Sequence, residues 1–247
     1  MDFAQKIFLY CERGQDPSFW AEPFNAVSNA AFIVAAMVAT RDWMAQPPER
    51  RHGSAAGLIV LTYAIGIGSF LFHTYATRWA QLADVIPIGL FMVAYLGTLL
   101  RRVARLHWVG VVAGLALFVL AFRYAGTLHC PQGELLPITA RAGARCLNGT
   151  VGYLPAFLAL VIVAAGLAVM RHPAWRTLSA AAVVFLASMT FRTLDLEVCE
   201  LTAYGGHLRG THFLWHGLNA LTLYLLLRAM IVHGTSRVRV SEAESSA

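Results

Sequence analysis

His212 and His216 stand four residues apart in the stretch GTHFLWHGLNALTLY. On a helix that spacing projects both imidazoles from one face, and two nitrogens so placed suit one tetrahedral metal. His73, in GSFLFHTYATRWAQLAD, offers a third nitrogen. Three histidines with an open fourth position describe a catalytic zinc site, where the metal lowers the pKa of bound water toward ~7. Ser69 precedes His73 by four residues, so its hydroxyl would face the same pocket, and Asp84 follows eleven residues after His73. A carboxylate there suits a general base. Blander readings stand beside these. A lone membrane histidine can be packed or snorkelling, Ser69 in GIGS can be a small residue for close helix packing, and Asp84 can be a solvated cap. Ionisable groups inside apolar spans are nevertheless functional candidates by default.

The elements that would position these groups follow from composition. The chain has 247 residues, 58% hydrophobic and 13% charged, against roughly 25% charged in soluble domains. That balance excludes one soluble globule and points to a membrane protein. The net charge of +6 does not indicate nucleic acid, because the basic residues are scattered between apolar runs and form no stripe. About 20 apolar residues cross a bilayer as a helix. Candidate spans are Asn25–Thr40, Ala55–His73, Leu82–Leu100, Trp108–Ala125, Val151–Met170, Leu178–Leu194 and Thr211–Val232. The expected fold is an all-α membrane protein, a seven-transmembrane helix bundle forming one domain over residues 1–240, with a disordered polar tail over 241–247. The start, MDFAQKIFLYCERGQD, lacks the basic and apolar regions of a cleavable signal. No repeat halves or interrupted helices suggest a transporter.

Arginines set the orientation. The ends and linkers after the first, third, fifth and seventh spans carry Arg41, Arg50, Arg51, Arg101, Arg102, Arg105, Arg171, Arg176, Arg228, Arg237 and Arg239, and the other side carries fewer. The positive-inside rule then puts the N-terminus outside, in periplasm or lumen, and the C-terminus in the cytoplasm. Arg outnumbers Lys, of which Lys6 is the sole example, and Ala is abundant. That bias hints at a GC-rich bacterial genome and an inner-membrane location. Cys11, Cys130, Cys146 and Cys199 all fall on the outer, oxidising side, and four cysteines allow three pairings. On the same topology Ser69, His73, Asp84, His212 and His216 converge at the outer ends of three helices, placing an active site near the periplasmic side. Asn25, Ser28 and Asn29 start the first span at that end, as a cap and packing surface. Arg192 and Asp195, three apart, can form a structural ion pair there.

In order along the chain, YCE, AEPFNAVSN, GSFLFHTYATRWAQLAD, RTLDLEVCE and HFLWHGLNALTLY resemble the motifs of the alkaline ceramidase family. That family lies within the membrane-hydrolase superfamily that includes adiponectin-type receptors and GPI-remodelling lipases. The resemblance implies a seven-helix bundle with zinc on His73, His212 and His216, and with Ser69 and Asp84 in the catalytic site. It implies hydrolysis of the amide of a ceramide-like membrane lipid to a sphingoid base and a fatty acid, with no nucleic acid and no obligate protein partner. It also implies a Cys11–Cys199 disulfide, leaving Cys130–Cys146 as a loop disulfide. Finally it implies a calcium site, for which Glu12 and Glu22 match two carboxylates and Tyr10 could offer its carbonyl. Leu9 and Gly14 stand where the family has oxygen-bearing Asp and Asn. Asp16 offers a further carboxylate, yet the certain oxygens fall short of the six to eight that calcium prefers.

The mechanism that follows has Asp84 as general base, with zinc and Ser69 stabilising the oxyanion. Two other readings share the residues: a hydrolase of another acyl lipid, ester or N-acyl, and a non-catalytic zinc-containing lipid receptor.

Overall fold

Long apolar runs leave no water-facing alternative for their backbone, so in a membrane they close every N–H and C=O within helices. The computed structural model of the chain describes residues 2–128 and 146–234. The expected tail over 241–247, His129 and Cys130 lie outside those residues. Seven helical stretches are long and apolar enough to cross a membrane: Pro23–Met44, Gly53–Tyr75, Arg78–Val103, Trp108–Ala125, Cys146–Val169, Ala174–Leu194 and His212–His233. The chain is thus an all-helical, multi-pass membrane protein. Among the described residues β-pairing is confined to two isolated bridges, Lys6 with Thr77 and Tyr204 with His207.

The first span is two helices, α1 (Pro23–Ser28) and α2 (Ala30–Met44). It begins at Pro23 rather than at Asn25, because Pro in the first turn loses no hydrogen bond. Side chains explain the break between the two. Ser28 Oγ and Asn29 Nδ2 both donate to the Asn25 carbonyl, at 3.0 and 2.8 Å, competing with the backbone ladder. The remaining helices are α3 (Gly53–Tyr75), α4 (Arg78–Thr98), α5 (Trp108–Ala125), α6 (Leu154–Val169), α7 (Ala174–Leu194) and α8 (His212–His233). A π-turn over Leu99–Val103 extends α4, and a 3₁₀ segment over Cys146–Tyr153 leads into α6.

Consecutive helices α2 to α7 pack side by side, and α8 lies against α7, α2 and α3. Its buried residues run along its length, from His212 and Trp215 to Met230 and Ile231. The facing surfaces use small residues, Ala35, Ala36 and Ala39 on α2 and Ala181 and Ala182 on α7, all buried. Close approach through small side chains is how helices pack without a hydrophobic drive. Phe32, Leu58, Ile65, Phe91, Leu178 and Leu227 fill the interior.

One contact sets the register of α3 on α4. A Cβ on Gly68 would stand 2.0 Å from the Ala83 carbonyl oxygen and 3.1 Å from the Asp84 amide nitrogen. Only glycine lets the two backbones meet there, and the meeting brings Ser69 and Asp84 to one place. Gly89, in α4, faces open space. Gly68→Ala should therefore cost more than the ~1–3 kcal/mol of ordinary overpacking, despite the higher helix propensity of Ala. Gly89→Ala should leave stability equal or slightly raised. Thermal unfolding in detergent micelles checks this, and an unchanged Tm for Gly68→Ala would contradict it.

Candidate metal centre

Three helix ends deliver the site: the last turns of α3, the first turns of α4 and the first turns of α8. His73, His212 and His216 are each 1% exposed. Their ligand atoms all lie within 4.8 Å of one another, with ring centroids 4.6 to 5.2 Å apart. Ser69 and Asp84 are buried as well, and the Asp84 carboxylate lies within electrostatic reach of Ser69, His73 and Arg192.

Hydrogen bonds fix which ring nitrogens stay available. His73 Nδ1 donates to Glu22 Oε2, which leaves Nε2 with its lone pair and no partner. Ser28 Oγ gives its proton to the Asn25 carbonyl, so at 2.8 Å it must accept from His216 Nδ1–H. That leaves His216 Nε2 as the lone-pair nitrogen. His212 Nδ1 is buried without a partner, as is Asp84 Oδ1. Orphaned ring nitrogens converging in a buried site are costly unless something binds them. An imidazole steered by a carboxylate or hydroxyl on its other nitrogen is how metal-ligating histidines are held. The residues therefore fit a metal ion of the type that imidazole prefers.

The local chain explains these positions. Asp195, just past α7, accepts from the backbone N–H groups of Cys11 (3.0 Å), Thr211 (2.8 Å) and His212 (2.9 Å). It thereby ties the start of α8 to the N-terminal segment. A side chain on Gly210 would meet Asp195 Oδ1 at 2.2 Å, and Gly210 also holds φ +66°. The Cys11–Cys199 disulfide, with Cα atoms 5.6 Å apart, fastens the same place, as the resemblance implied. Cys146 is disulfide-bonded as well.

Two expectations need correction. Arg192 and Asp195 form no ion pair: Asp195 is occupied by backbone donors, and Arg192 lies over aromatic rings. The residues proposed for calcium do not fit that ion, because protein donors already take their oxygens. The Tyr10 carbonyl accepts from Gly14 N–H. Glu12 accepts from Phe24 and Asn25 N–H, at 2.7 and 2.8 Å, and burial, working against those two bonds, pushes its carboxyl up to about 7. Exposed Asp16 binds Ser18 N–H with Oδ1. Glu22 takes Arg13 on one oxygen and His73 on the other. Burial alone would raise the Glu22 carboxyl, but the His73 N–H and the Arg13 guanidinium bound to it hold it below its ordinary value. The Arg13 guanidinium on Glu22 is itself buried, 3% exposed. It also donates to the carbonyls of Asp16 (3.0 Å), Ser18 (2.7 Å), His73 (2.8 Å) and Thr74 (3.2 Å).

Two side chains escaped sequence reasoning. The Tyr10 ring, considered only for its carbonyl, stacks on His212 at 3.7 Å between centroids and lies 5.0 Å from His73; burial raises its phenol pKa. Glu22, considered only for calcium, holds His73. The signal for Glu22 was its place in AEPFNAVSN just before a span, where an acid has no solvated helix face to occupy. His207 is exposed on the loop before α8 and takes no part in the three-histidine group.

Two measurements follow from the Arg13 arrangement. Arg13→Ala leaves Glu22 buried without its cation, so it should lower stability by about 3–5 kcal/mol. Calcium titrated into the wild-type protein should leave Tm unmoved, and a rise in Tm with calcium would contradict this account.

A protein-family model described as ceramidase matches residues 10–245. A comparison with curated proteins returned no match. The match runs from the tyrosine stacked on His212 through all seven spans, and it encloses every residue of the site just described. The chain belongs to the ceramidase family.

Proposed function

We propose that this protein is a zinc-dependent amidohydrolase of the membrane, cleaving the N-acyl bond of ceramide-like lipids to a sphingoid base and a fatty acid. One observation carries the reading: the ligand nitrogens of His73, His212 and His216 lie within 4.8 Å of one another in a buried place at the end of an apolar bundle, and two of these rings keep a nitrogen without a partner. Family membership implies ceramide hydrolysis. His73, His212 and His216 are the ligands in this reading. A zinc ion on such a set supplies Lewis acidity and activates water.

The chain's own groups do the rest. Glu22 and Ser28 keep His73 and His216 in the tautomers that present Nε2 inward. Asp84 Oδ1, free of hydrogen bonds, takes the proton from water as the acyl carbon gains its oxygen. It returns that proton to nitrogen as the C–N bond breaks, giving a carboxylic acid and an amine, which then exchange a proton to become a carboxylate and an ammonium. The Ser69 hydroxyl, turned to Asp84 in the resting site, donates to the acyl oxygen as charge develops there.

An apolar cavity of about 80 Å³ lies deeper between the helices, bounded by Ile65, Phe91, Leu96, Tyr153, Phe185 and Leu223 among others. At that size it takes only a short apolar segment, such as part of an acyl chain. The arginine distribution supports an N-terminus outside and a cytoplasmic C-terminus. The Cys11–Cys199 disulfide supports a site facing the periplasm of a bacterial inner membrane.

Fatty-acid release and bound zinc should be measured together on purified protein. Asp84→Asn should keep zinc and lose at least about 100-fold in kcat, whereas His216→Ala should lose both zinc and turnover. Full turnover by Asp84→Asn would sink the general-base role, and full zinc with full turnover in His216→Ala would sink the site.

A further inference from the structure

Arg192, in the last turn of α7, carries a charge that the mechanism above leaves unused. Its Cζ lies 5.7 Å from the Tyr10 ring centroid and 5.5 Å from those of Tyr153 and Trp215. Nη1 donates to Tyr10 Oη at 3.2 Å, and Nε is buried with no partner. Among the described residues, no carboxylate oxygen lies within 4.0 Å of the guanidinium, since the ion pairs found are Glu22 with Arg13 and with His73. Aromatic faces attract a cation by about 0.5–2 kcal/mol each. The Asp84 and Asp195 carboxylates act on this charge from beyond ion-pair distance, so the orphaned Nε–H still has no acceptor in direct contact.

The neighbours of Arg192 say where an anionic acceptor would be. Tyr10 stacks on His212, and Trp215 lies between the two histidines of α8 in sequence and stacks on His212 at 6.5 Å. Tyr153, the third ring, bounds the apolar cavity. Arg192 therefore stands at the junction of the histidine cluster and that cavity, where the head of an acyl chain entering the cavity would reach the cluster.

We propose that Arg192 is the anion-binding residue of this pocket and holds the carboxylate of the released fatty acid while the first part of its chain enters the cavity. This rests on the hydrolase reading above. The chemistry suits arginine: a planar fork of N–H donors matches the two oxygens of a carboxylate, and a neutral amide substrate engages it less than the charged product. A carboxylate on the polar half of the substrate would present the same chemistry from the other side.

The test is equilibrium binding, which needs no turnover, so its result stands apart from the fate of the hydrolase reading. Palmitate, hexadecanol and N-palmitoylglycine would each displace a fluorescent fatty-acid probe from purified wild type, Arg192→Gln and Arg192→Lys. The expected result is a loss of about tenfold or more in palmitate affinity in Arg192→Gln, hexadecanol unchanged, and a smaller loss in Arg192→Lys. Size-exclusion profiles and Tm establish that the variants are folded, and Arg192→Lys keeps the charge if Arg192→Gln is not. A selective loss for palmitate supports the product as the source. A larger loss for N-palmitoylglycine than for palmitate overturns the product assignment and places the carboxylate on the substrate's polar half. Equal affinities of folded wild type and variants for all three ligands overturn the anion site altogether.

Discussion

Glu22 joins a metal-ligand candidate to the rest of the molecule. One carboxylate oxygen takes Nδ1–H of His73 and the side-chain amide of Asn25, and the other takes the Arg13 guanidinium. Arg13 in turn binds the carbonyls of His73 and Thr74, which stand in the last turn of α3, where helix carbonyls have no intrahelical donor. The same guanidinium closes the loop around Asp16 and Ser18. A single buried cation thus satisfies a helix end, a loop and a carboxylate. Breaking such a group leaves a charge stranded in a dry interior, which is far more costly than the pair is worth while intact. The N-terminal segment consequently behaves as part of the site. Its Tyr10 covers His212 and its Cys11 is bonded to Cys199.

The remaining restraints act on the same few atoms from other directions. Asp195 anchors the first residues of α8 through three backbone N–H groups, and Gly210 leaves room for it. Ser28, at the break between α1 and α2, orients His216. Gly68 lets α3 and α4 touch beside Ser69 and Asp84. Glu22, Ser28 and Asp195 are spent on positioning, while selected atoms on the histidines, Asp84 and Arg192 are left unpaired. Positioning groups with fixed partners, next to reactive atoms left free, are what a preorganised reaction site requires.

Much of this was legible in the sequence because it depends on local periodicity. The span Trp108–Ala125 has the bounds that its apolar run indicates. Other spans run a few residues longer, since Pro23, Arg78 and the Leu99–Val103 turn extend helices into polar flanks that hydropathy reads as loop. The histidine group was readable because His212 and His216 share a helix face and topology brings His73 to the same end. What could not be read depends on contacts between distant residues. Glu22 meets His73 across 51 positions, and Cys11 meets Asp195 across 184. Arg192 and Asp195 show how local spacing misleads: three residues apart, they turn to different partners, because backbone donors from two other segments claim the carboxylate first. The calcium candidates show the same limit: their oxygens, already too few along the chain, also have protein donors from other segments, with Arg13 and His73 on Glu22 and the Phe24 and Asn25 amides on Glu12.

The central claim is that His73, His212 and His216 together hold one metal ion. X-ray absorption at the zinc edge of the purified, zinc-loaded protein tests it most directly. The account predicts one zinc per chain with three imidazole nitrogens at about 2.0–2.1 Å, falling to fewer imidazoles, or to no bound zinc, when any one of the three is replaced by alanine. A spectrum with no imidazole scattering, or one unchanged by all three replacements, would contradict it.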